Sequence, residues 1–186
     1  SKGEAVQESI EKAVQEFERL DYACNSAGIH NDLPGAFADV EQEDWDRIIA
    51  VNLTGVFLCM KYEIKQMINQ GSGVIVNIAS LGGLLAEPGS IAYTASKHGV
   101  MGLTKVAALE CARDGIRINA VCPAVVETPM LAPAPEEVKQ YLKSLHPIGR
   151  FGKPEEIAAA VMYLCSDLAG FTTGTGLVLD GGASVV

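Results

Sequence analysis

Residues 74–83 read Val-Ile-Val-Asn-Ile-Ala-Ser-Leu-Gly-Gly, and they decide the fold class. The first six form a β-branched run that is too short for a helix and apolar on both faces, as is typical of a central strand in a parallel sheet. A glycine-rich turn, Leu81 to Gly83, follows at once. The stretch therefore predicts a buried strand, Val74–Ala79, that ends at a tight turn.

Segments of the same character recur along the chain and alternate with helical patterns. The further predicted strands are Leu20–Cys24, Ile116–Val121 and Leu177–Asp180. The predicted helices are a first pattern from Val6 to Phe17, then Trp45–Met67, Ile91–Ala112, Glu136–Leu145 and a last helix that opens at Pro154. Such alternation is typical of crossovers around a parallel sheet. We predict a three-layer α/β fold with a doubly wound parallel sheet, as one domain over residues 1–186.

The composition is that of an ordinary globular domain. The chain has 186 residues, 48% of them hydrophobic, and 14 basic against 23 acidic side chains give a net charge of −9. Nucleic acids and anionic membranes bind basic patches, so the acidic balance argues against both as partners. No apolar run approaches the roughly 18 residues that span a bilayer. We expect a soluble cytoplasmic protein.

The five cysteines are scattered through the sequence. They are Cys24, Cys59, Cys111, Cys122 and Cys165. They include no C-x-x-C pair, and none has a histidine at the spacing of a zinc ligand. Because each lies in an apolar stretch, we predict buried, reduced thiols and no metal site.

Small and polar residues follow three of the predicted strands. They are Asn25-Ser26-Ala27-Gly28, Ser80-Leu81-Gly82-Gly83 and Pro123-Ala124-Val125. In open parallel sheets, ligands bind beyond the carboxyl ends of the strands. We therefore expect the functional site at this edge of the sheet.

Tyr93 and Lys97 are four residues apart near the start of a predicted helix, which puts both side chains on one face. A phenol has a pKa of about 10 in isolation, and a neighbouring ammonium lowers that pKa because it favours the phenolate. The pair is a candidate proton donor. A surface tyrosine beside a solvated lysine has the same spacing, so the pair alone leaves both interpretations open.

Two more polar residues strengthen the first interpretation. Ser80 ends a buried strand and could hydrogen-bond the oxygen that Tyr93 protonates, although a turn or cap residue would also be a serine. Asn52 lies in the middle of a predicted helix, where a short amide is unfavourable. It is either a buried amide that ties two backbones together or a site residue where the helix is locally deformed.

Taken together, these motifs resemble the short-chain dehydrogenase/reductase family in kind and in order. The matching segments are Asn25-Ser26-Ala27-Gly28, which resembles N-N-A-G, Asn52, Ser80, Tyr93-Thr94-Ala95-Ser96-Lys97, which resembles Y-x-x-x-K, Pro154–Ala158 and Asp180-Gly181-Gly182. Each motif is weak alone, but the joint spacing is specific and covers nearly the whole chain. The resemblance implies a Rossmann-like fold.

The resemblance also implies an activity, a hydride transfer between NAD or NADP and a secondary alcohol or ketone. Tyr93 would be the general acid for carbonyl reduction and the base for alcohol oxidation. Lys97 would lower the pKa of Tyr93 and hold the nicotinamide ribose. Ser80 would orient the substrate oxygen, and Asn52 would anchor a water that connects Lys97 to solvent.

Cofactor contacts are implied by the same resemblance. Besides Tyr93 and Lys97, they are Asn25, Ala27 and Gly28 on the adenosine side, with Pro123 and Thr128 near the nicotinamide. Two residues depart from the family pattern. Ser26 replaces the second asparagine, and Ala124 stands where a glycine is usual after proline, so its Cβ could crowd the backbone there.

The glycine-rich phosphate motif of the family is not found near the start of the sequence. We therefore expect a sheet that is incomplete at its N-terminal side, and we interpret the chain as the C-terminal part of a longer enzyme. The residue that selects NAD or NADP would lie in the absent part. The alternative is a catalytically silent scaffold or binding subunit that cannot hold a dinucleotide.

Two further expectations concern the substrate and the assembly. Residues 130–150 carry leucines and an isoleucine on a proline-rich excursion, which predicts a lid over an apolar or mixed substrate. The long helices carry apolar residues over more of their circumference than one buried face needs. These are Val56, Phe57, Met60 and Ile64 on one helix, and Val100, Met101, Leu103, Val106 and Leu109 on the other. We expect a homotetramer or homodimer.

Overall fold

A four-stranded parallel sheet is the centre of the computed structural model, which describes residues 3–30 and 37–185. The strands lie in the order β1 (Tyr22–Asn25), β2 (Gly73–Ile78), β3 (Ile116–Pro123) and β4 (Gly176–Leu179). All three strand pairs are parallel. The predicted strands and their parallel pairing are confirmed, with bounds that differ by one or two residues.

Six α-helices lie in the described part of the chain. They are α1 (Gly3–Phe17), α2 (Gln42–Ile49), α3 (Gly55–Gln70), α4 (Ile91–Cys111), α5 (Glu136–Ser144) and α6 (Pro154–Cys165). The start of α6 is explained by its sequence, since proline is favoured in the first turn and the Glu156 carboxylate accepts a hydrogen bond of 2.8 Å from the Lys153 backbone N–H.

The single helix predicted over Trp45–Met67 is wrong in one respect. A π-helical turn, Ala50–Thr54, separates α2 from α3. The N–H of Gly55, directly after the turn, donates a hydrogen bond to the Ala50 carbonyl. Asn52 lies in this turn and is fully buried. Its amide bonds backbone groups outside the helix, which a regular helical interior does not favour.

Helices cover both faces of the sheet, as a three-layer fold requires. On one face, α3 and α4 pack against the strands through a cluster that includes Met67, Ile75, Val100 and Ile118. On the other face, Leu164 of α6 packs with strand residues such as Val76 and Val121. Every residue of β2 except Ile78 is buried, which confirms that it is a central strand.

The β1 edge of the sheet is partly open. Tyr22 is 60% exposed and Cys24 is exposed, whereas Ala23 is half-buried and Asn25 is buried, because alternate residues of β1 point to opposite faces of the sheet. The prediction of buried thiols is therefore wrong for Cys24. It is confirmed for Cys111 and Cys122, while Cys59 and Cys165 are half-buried.

Candidate active site

The carboxyl ends of the strands bring the predicted site segments to one edge of the sheet. Asn25 and Pro123 are the last residues of β1 and β3, and Ser80 follows the end of β2 by two residues. Helix α4 begins at Ile91 and carries Tyr93 and Lys97 in its first two turns. The short 3₁₀ helix Leu81–Gly83 connects β2 towards α4 and packs against it.

Lys97 is buried beside Tyr93. Its Nζ lies 5.6 Å from the centroid of the Tyr93 ring and donates a hydrogen bond of 2.8 Å to the Ile78 carbonyl at the end of β2. The side chain is largely enclosed, and the residue is only 5% exposed. Burial disfavours the ammonium form and lowers the pKa of Lys97 to about 8.

The environment of Tyr93 raises the pKa of its phenol, chiefly because burial disfavours the phenolate. The Ser80 hydroxyl opposes this rise through a side-chain hydrogen bond, and the Glu87 carboxylate adds to it. The expectation that Lys97 lowers the pKa of Tyr93 below its ordinary value is therefore wrong for this structure. Burial of the Tyr93 phenol is the largest cause of the shift in its pKa.

Ser80 has the capping role that its position allowed, and its role toward the substrate oxygen stays a prediction. Its Oγ accepts a hydrogen bond of 3.1 Å from the Gly82 N–H and so caps the 3₁₀ helix. A Cβ placed on Gly82 would lie 3.5 Å from Ser80 Oγ and 3.6 Å from Tyr93 Cε1, so the hydroxyl and the phenol ring flank the same glycine. Because Gly82 has no side chain, a ligand can approach both the Ser80 hydroxyl and the Tyr93 ring.

Asn52 connects the loop after β1 to helix α4. Its Oδ1 accepts a hydrogen bond of 2.8 Å from the Ile29 N–H, and its Nδ2 donates bonds of 2.8 Å to the Ile29 carbonyl and 3.3 Å to Ser96 Oγ. The amide therefore ties two backbones together, at a place where the helix is locally deformed. The tie between two backbones is confirmed, and a role of Asn52 in the chemistry of the site stays a prediction.

Gly28 brings the loop after β1 against the buried amine. A Cβ at this position would lie 3.5 Å from Lys97 Nζ and 3.6 Å from Asn52 Oδ1. Ser26 and Ala27, just before it, are exposed. A buried amine with N–H donors, beside small residues that leave the surface open, fits the hydroxyl groups of a nucleotide ribose.

The Asn25 side chain points away from this surface. It is 9% exposed, and its Nδ2 donates hydrogen bonds of 3.0 Å to Glu63 Oε2 and to Asn77 Oδ1. Sequence reasoning missed Glu63. A signal was present, because Glu63 occupies a position of α3 with the same core-facing spacing as its buried neighbours Met60 and Met67.

His30 has partners that the sequence does not show. Its Nε2 lies 3.1 Å from Ser90 Oγ, and its ring packs at 62° on Tyr93, with 4.6 Å between the centroids. The His30 ring, in the loop after β1, therefore packs against the Tyr93 ring.

Pro123 and Thr128 lie where the chain leaves β3. Pro123 is buried, and Thr128 is half-buried with its carbonyl accepting a bond of 3.0 Å from the Leu131 N–H. A bridge between Val126 and Gly152 closes the base of the predicted lid segment. The structure gives neither residue a contact with Tyr93 or Lys97, so their cofactor contacts stay predictions.

Other kinds of site have little support in the described ranges. Residues 3–30 and 37–185 contain no group of three or more His, Cys, Asp or Glu side chains arranged to hold a metal ion. None of the helices in that part of the chain is long and apolar enough to cross a membrane.

The arrangement matches known proteins over nearly the whole chain. A family model described as "Enoyl-(Acyl carrier protein) reductase" matches residues 1–184. The 3-oxoacyl-[acyl-carrier-protein] reductase of Thermotoga maritima is 44% identical over 177 residues, which are 95% of this chain and 71% of that protein. The chain belongs to the short-chain dehydrogenase/reductase family.

Other members of the family agree in sequence and in structure. The cyclohexanol dehydrogenase of an Acinetobacter strain is 45% identical over 178 residues, which are 96% of this chain and 69% of that protein. A solved structure described as "ElxO with NADP Bound" superimposes with a TM-score of 0.93 at 37% identity, covering 99% of this chain and 75% of that chain. The Rossmann-like fold is confirmed, and the chain is a dehydrogenase/reductase of the class that uses NAD or NADP.

Proposed function

We propose that this chain carries the catalytic centre of an NAD(P)-dependent oxidoreductase that interconverts a secondary alcohol and a ketone. The observation that carries the proposal is the grouping of three polar side chains at the ligand-binding edge of the sheet. Ser80 Oγ and the Tyr93 ring flank Gly82, and the buried Lys97 Nζ lies 5.6 Å from the Tyr93 ring centroid. The cofactor, when bound, supplies the hydride that forms the new C–H bond. Transfer of deuterium from a deuterated reduced cofactor to the carbinol carbon of the product tests the proposal.

The chain's own residues supply the proton and the orientation. In reduction, Ser80 hydrogen-bonds the carbonyl oxygen, and Tyr93 transfers its phenolic proton to that oxygen as the hydride reaches the carbon. The raised pKa of Tyr93 keeps the phenol protonated at neutral pH, which suits a proton donor. In oxidation, the same groups act in reverse, and the phenolate takes the proton.

Lys97 has two proposed roles. Its Nζ lies beside Gly28 and Asn52, where it would hold the ribose hydroxyls of the cofactor. With a pKa of about 8, it exists in both protonation states near neutral pH and can return a proton to Tyr93 through a bridging hydroxyl or water. Asn52 would anchor that water, as the family resemblance implies.

The pKa shifts predict opposite pH dependences for the two directions. Burial raises the pKa of Tyr93, so the phenolate needed for alcohol oxidation is scarce at neutral pH. We expect kcat for oxidation to rise about tenfold per pH unit on the alkaline side, and kcat for reduction to stay level and then fall. Steady-state rates in both directions across the alkaline range test this. Oxidation that is independent of pH would contradict it.

The substrate is proposed to be apolar or cyclic. Apolar residues on the lid segment support this, among them Leu131, Leu142 and Leu145. The relatives named above act on 3-oxoacyl and cyclohexanol groups according to their names. Helix α5 has no buried residue, so its apolar side chains, Val138 and Tyr141 among them, are exposed on this part of the lid.

Gly83 offers a test of how closely the Ser80 turn must approach Lys97. A Cβ on Gly83 would lie 2.8 Å from the Lys97 carbonyl oxygen, so Gly83→Ala must push the turn away from α4. We expect a loss of about 1–3 kcal/mol in the free energy of unfolding. We also expect kcat/KM to fall at least about tenfold, since Ser80 moves relative to Tyr93.

Gly102→Ala is the matched control, because it adds a methyl group to α4 where no atom lies within 4 Å. It is expected to leave turnover unchanged and to raise stability by about 0.5–1 kcal/mol. Urea unfolding and steady-state kinetics report both effects. Equal behaviour of the two variants would contradict the proposed approach of turn and helix.

Assembly is proposed to use the exposed faces of α3 and α4. Of the apolar residues around these two helices, Val56, Met60, Val100 and Met101 are buried in the core. The outward residues are Phe57 at 47%, Ile68 at 47%, Val106 at 55% and Leu109 at 83% exposed. An apolar face of this size is typical of a contact between copies.

Leu109→Lys is expected to weaken that contact, because it would place a charge in an apolar interface. Light scattering should then show a smaller assembly than the wild-type homotetramer or homodimer. The unfolding curve at low concentration should change little, since Leu109 contributes little to the core. A wild-type protein that is fully active as a monomer would contradict the assembly.

The alternative of a silent scaffold is not favoured by the site. A scaffold has no need of a buried amine and a buried phenol beside a serine at the ligand-binding edge. The existence of a phosphate-binding segment upstream of Ser1 and the cytoplasmic location stay predictions. Reading the codons upstream of Ser1 tests the first of these.

A further inference from the structure

Glu63 is a buried carboxyl group that the proposed chemistry does not use. It lies on α3 among apolar core residues and is 4% exposed. The ion pairs found in residues 3–30 and 37–185 do not include it. A buried carboxyl group without a cation is costly unless it is hydrogen-bonded, so its contacts show what it does.

Glu63 is the end of a chain of buried hydrogen bonds that crosses the fold. Asn25 Nδ2 on β1 donates to Glu63 Oε2 and to Asn77 Oδ1 on β2, each at 3.0 Å. Asn77 Nδ2 donates to Thr104 Oγ1 on α4 at 3.0 Å, and the Thr104 hydroxyl donates to the Val100 carbonyl at 2.8 Å. The chain links α3, two strands and the helix that carries Tyr93 and Lys97.

The acceptors around Asn25 match its donors. The Asn25 amide has two N–H groups, and one finds Asn77 while the other finds Glu63. Without the Glu63 carboxyl, one buried N–H would lose its partner, and the amide would have to turn to recover one. The orientation of Asn25 therefore depends on Glu63.

The orientation of Asn25 matters because this residue is the last of β1. Ser26, Ala27 and Gly28 come directly after it and form the exposed turn that Gly28 brings against Lys97 and Asn52. A shift of the strand end is passed on to this turn, which is the proposed cofactor surface. Displacements of an ångström at such a surface weaken binding severely.

We propose that Glu63 is a positioning residue, which holds the Asn25 carboxamide and through it the Ser26–Gly28 turn for the nicotinamide cofactor. Only the expected effect on cofactor binding rests on the proposed function. The orientation of Asn25 itself is a property of the protein without cofactor.

The titration of Glu63 should also change the environment of the Asn25 amide. Burial raises the pKa of Glu63 to about 7, and the hydrogen bond from Asn25 opposes that rise. The Cys59 thiol lies on the same helix four residues before Glu63, and the Cys24 thiol lies on β1 next to Asn25 but points to the opposite face of the sheet; burial raises the pKa of both thiols. Near neutral pH, Asn25 therefore donates to a carboxyl group that changes its charge.

The test compares Glu63→Leu, which removes the acceptor, with Glu63→Gln, which keeps one. NMR follows the side-chain amide signals of Asn25 in the cofactor-free protein, and calorimetry measures the Kd of NADH and NADPH. For Glu63→Leu we expect displaced amide signals and a Kd raised about tenfold, the scale of a lost buried hydrogen bond to a charged group, with kcat little changed. For Glu63→Gln we expect a nearly wild-type Kd.

The pH profile separates positioning from stability. In the wild type the Asn25 amide signals should shift with a midpoint near the pKa of Glu63, about 7, and in Glu63→Gln this shift should vanish. Met67→Leu, a change in the same buried helix face, controls for lost packing. It should lower the melting temperature and leave the Asn25 signals and the Kd unchanged.

Two results would overturn the proposal. One is a Glu63→Leu protein with wild-type Asn25 signals, whatever its stability. The other is displaced signals with an unchanged Kd. If the wild type itself binds neither NADH nor NADPH, the proposed function fails, and the amide signals alone then decide whether Glu63 positions Asn25.

Discussion

Tyr93→Phe is expected to lower kcat for carbonyl reduction by about 10²–10⁴-fold, the usual contribution of a general acid. The substitution removes the hydroxyl that gives its proton to the substrate oxygen. It keeps the ring that packs 4.6 Å from His30 and 5.6 Å from Lys97 Nζ, measured to its centroid. The rise of the oxidation rate with pH should disappear in the same variant.

Binding is the internal control for this variant. The melting temperature should stay close to wild type, and the Kd of the cofactor should change little compared with kcat even though Tyr93 is a predicted cofactor contact, because most of the loss falls on the transition state. Steady-state kinetics and calorimetry on the same preparation give both quantities. Wild-type turnover by Tyr93→Phe would contradict the assignment of the acid.

Lys97→Met is expected to have the second largest effect, a loss of about 10²-fold in kcat/KM. Methionine keeps most of the volume but has no N–H to donate, so the Ile78 carbonyl loses its hydrogen bond and the ribose site loses its amine. The unmet carbonyl should cost about 1–3 kcal/mol of stability. Unlike Tyr93→Phe, this variant should also raise the Kd of the cofactor.

Lys105→Met is the matched control, because Lys105 is an exposed lysine on the same helix. It should leave both kcat/KM and Kd near wild type. Equal losses of activity in Lys97→Met and Lys105→Met would show that the loss comes from a change in helix α4 or in net charge, and not from the Lys97 amine itself. Cofactor binding that is unchanged in Lys97→Met would remove the proposed ribose contact.

The strands could be predicted because their signals are local. Val74–Ala79 is apolar on both faces, and only a strand covered on both sides satisfies such a sequence. The site motifs were predictable for a related reason. Parallel strands place their carboxyl ends together, so Ser80 and Pro123 had to share an edge once the sheet was recognised.

The features that were missed depend on contacts between distant residues. The π-helical turn at Asn52 forms because its amide bonds Ile29, which is 23 residues away in sequence. His30 finds Ser90 at a separation of 60 residues. Apolar periodicity cannot report such pairings, because each residue alone has an ordinary sequence neighbourhood.

The pKa shifts of Tyr93 and Lys97 also could not be predicted from the sequence. A Tyr–Lys pair at helical spacing predicts a lowered phenol pKa only if the lysine is charged and the tyrosine is solvated. In the structure Lys97 is buried and Tyr93 is half-buried, so desolvation raises the pKa of Tyr93 and lowers that of Lys97. Burial is a property of the assembled fold, so the sign of the Tyr93 shift could not be read from spacing.

Tyr93 is proposed to give a proton to a carbonyl whose carbon receives a hydride from NADH or NADPH. A reduced cofactor deuterated at the transferred position tests this, with cyclohexanone and a 3-oxoacyl thioester as substrates. We expect deuterium on the carbinol carbon of at least one product, formed about 10²–10⁴-fold more slowly by Tyr93→Phe. An alcohol product without deuterium on that carbon, or no turnover of either substrate with either cofactor, would contradict this transfer of hydride and proton.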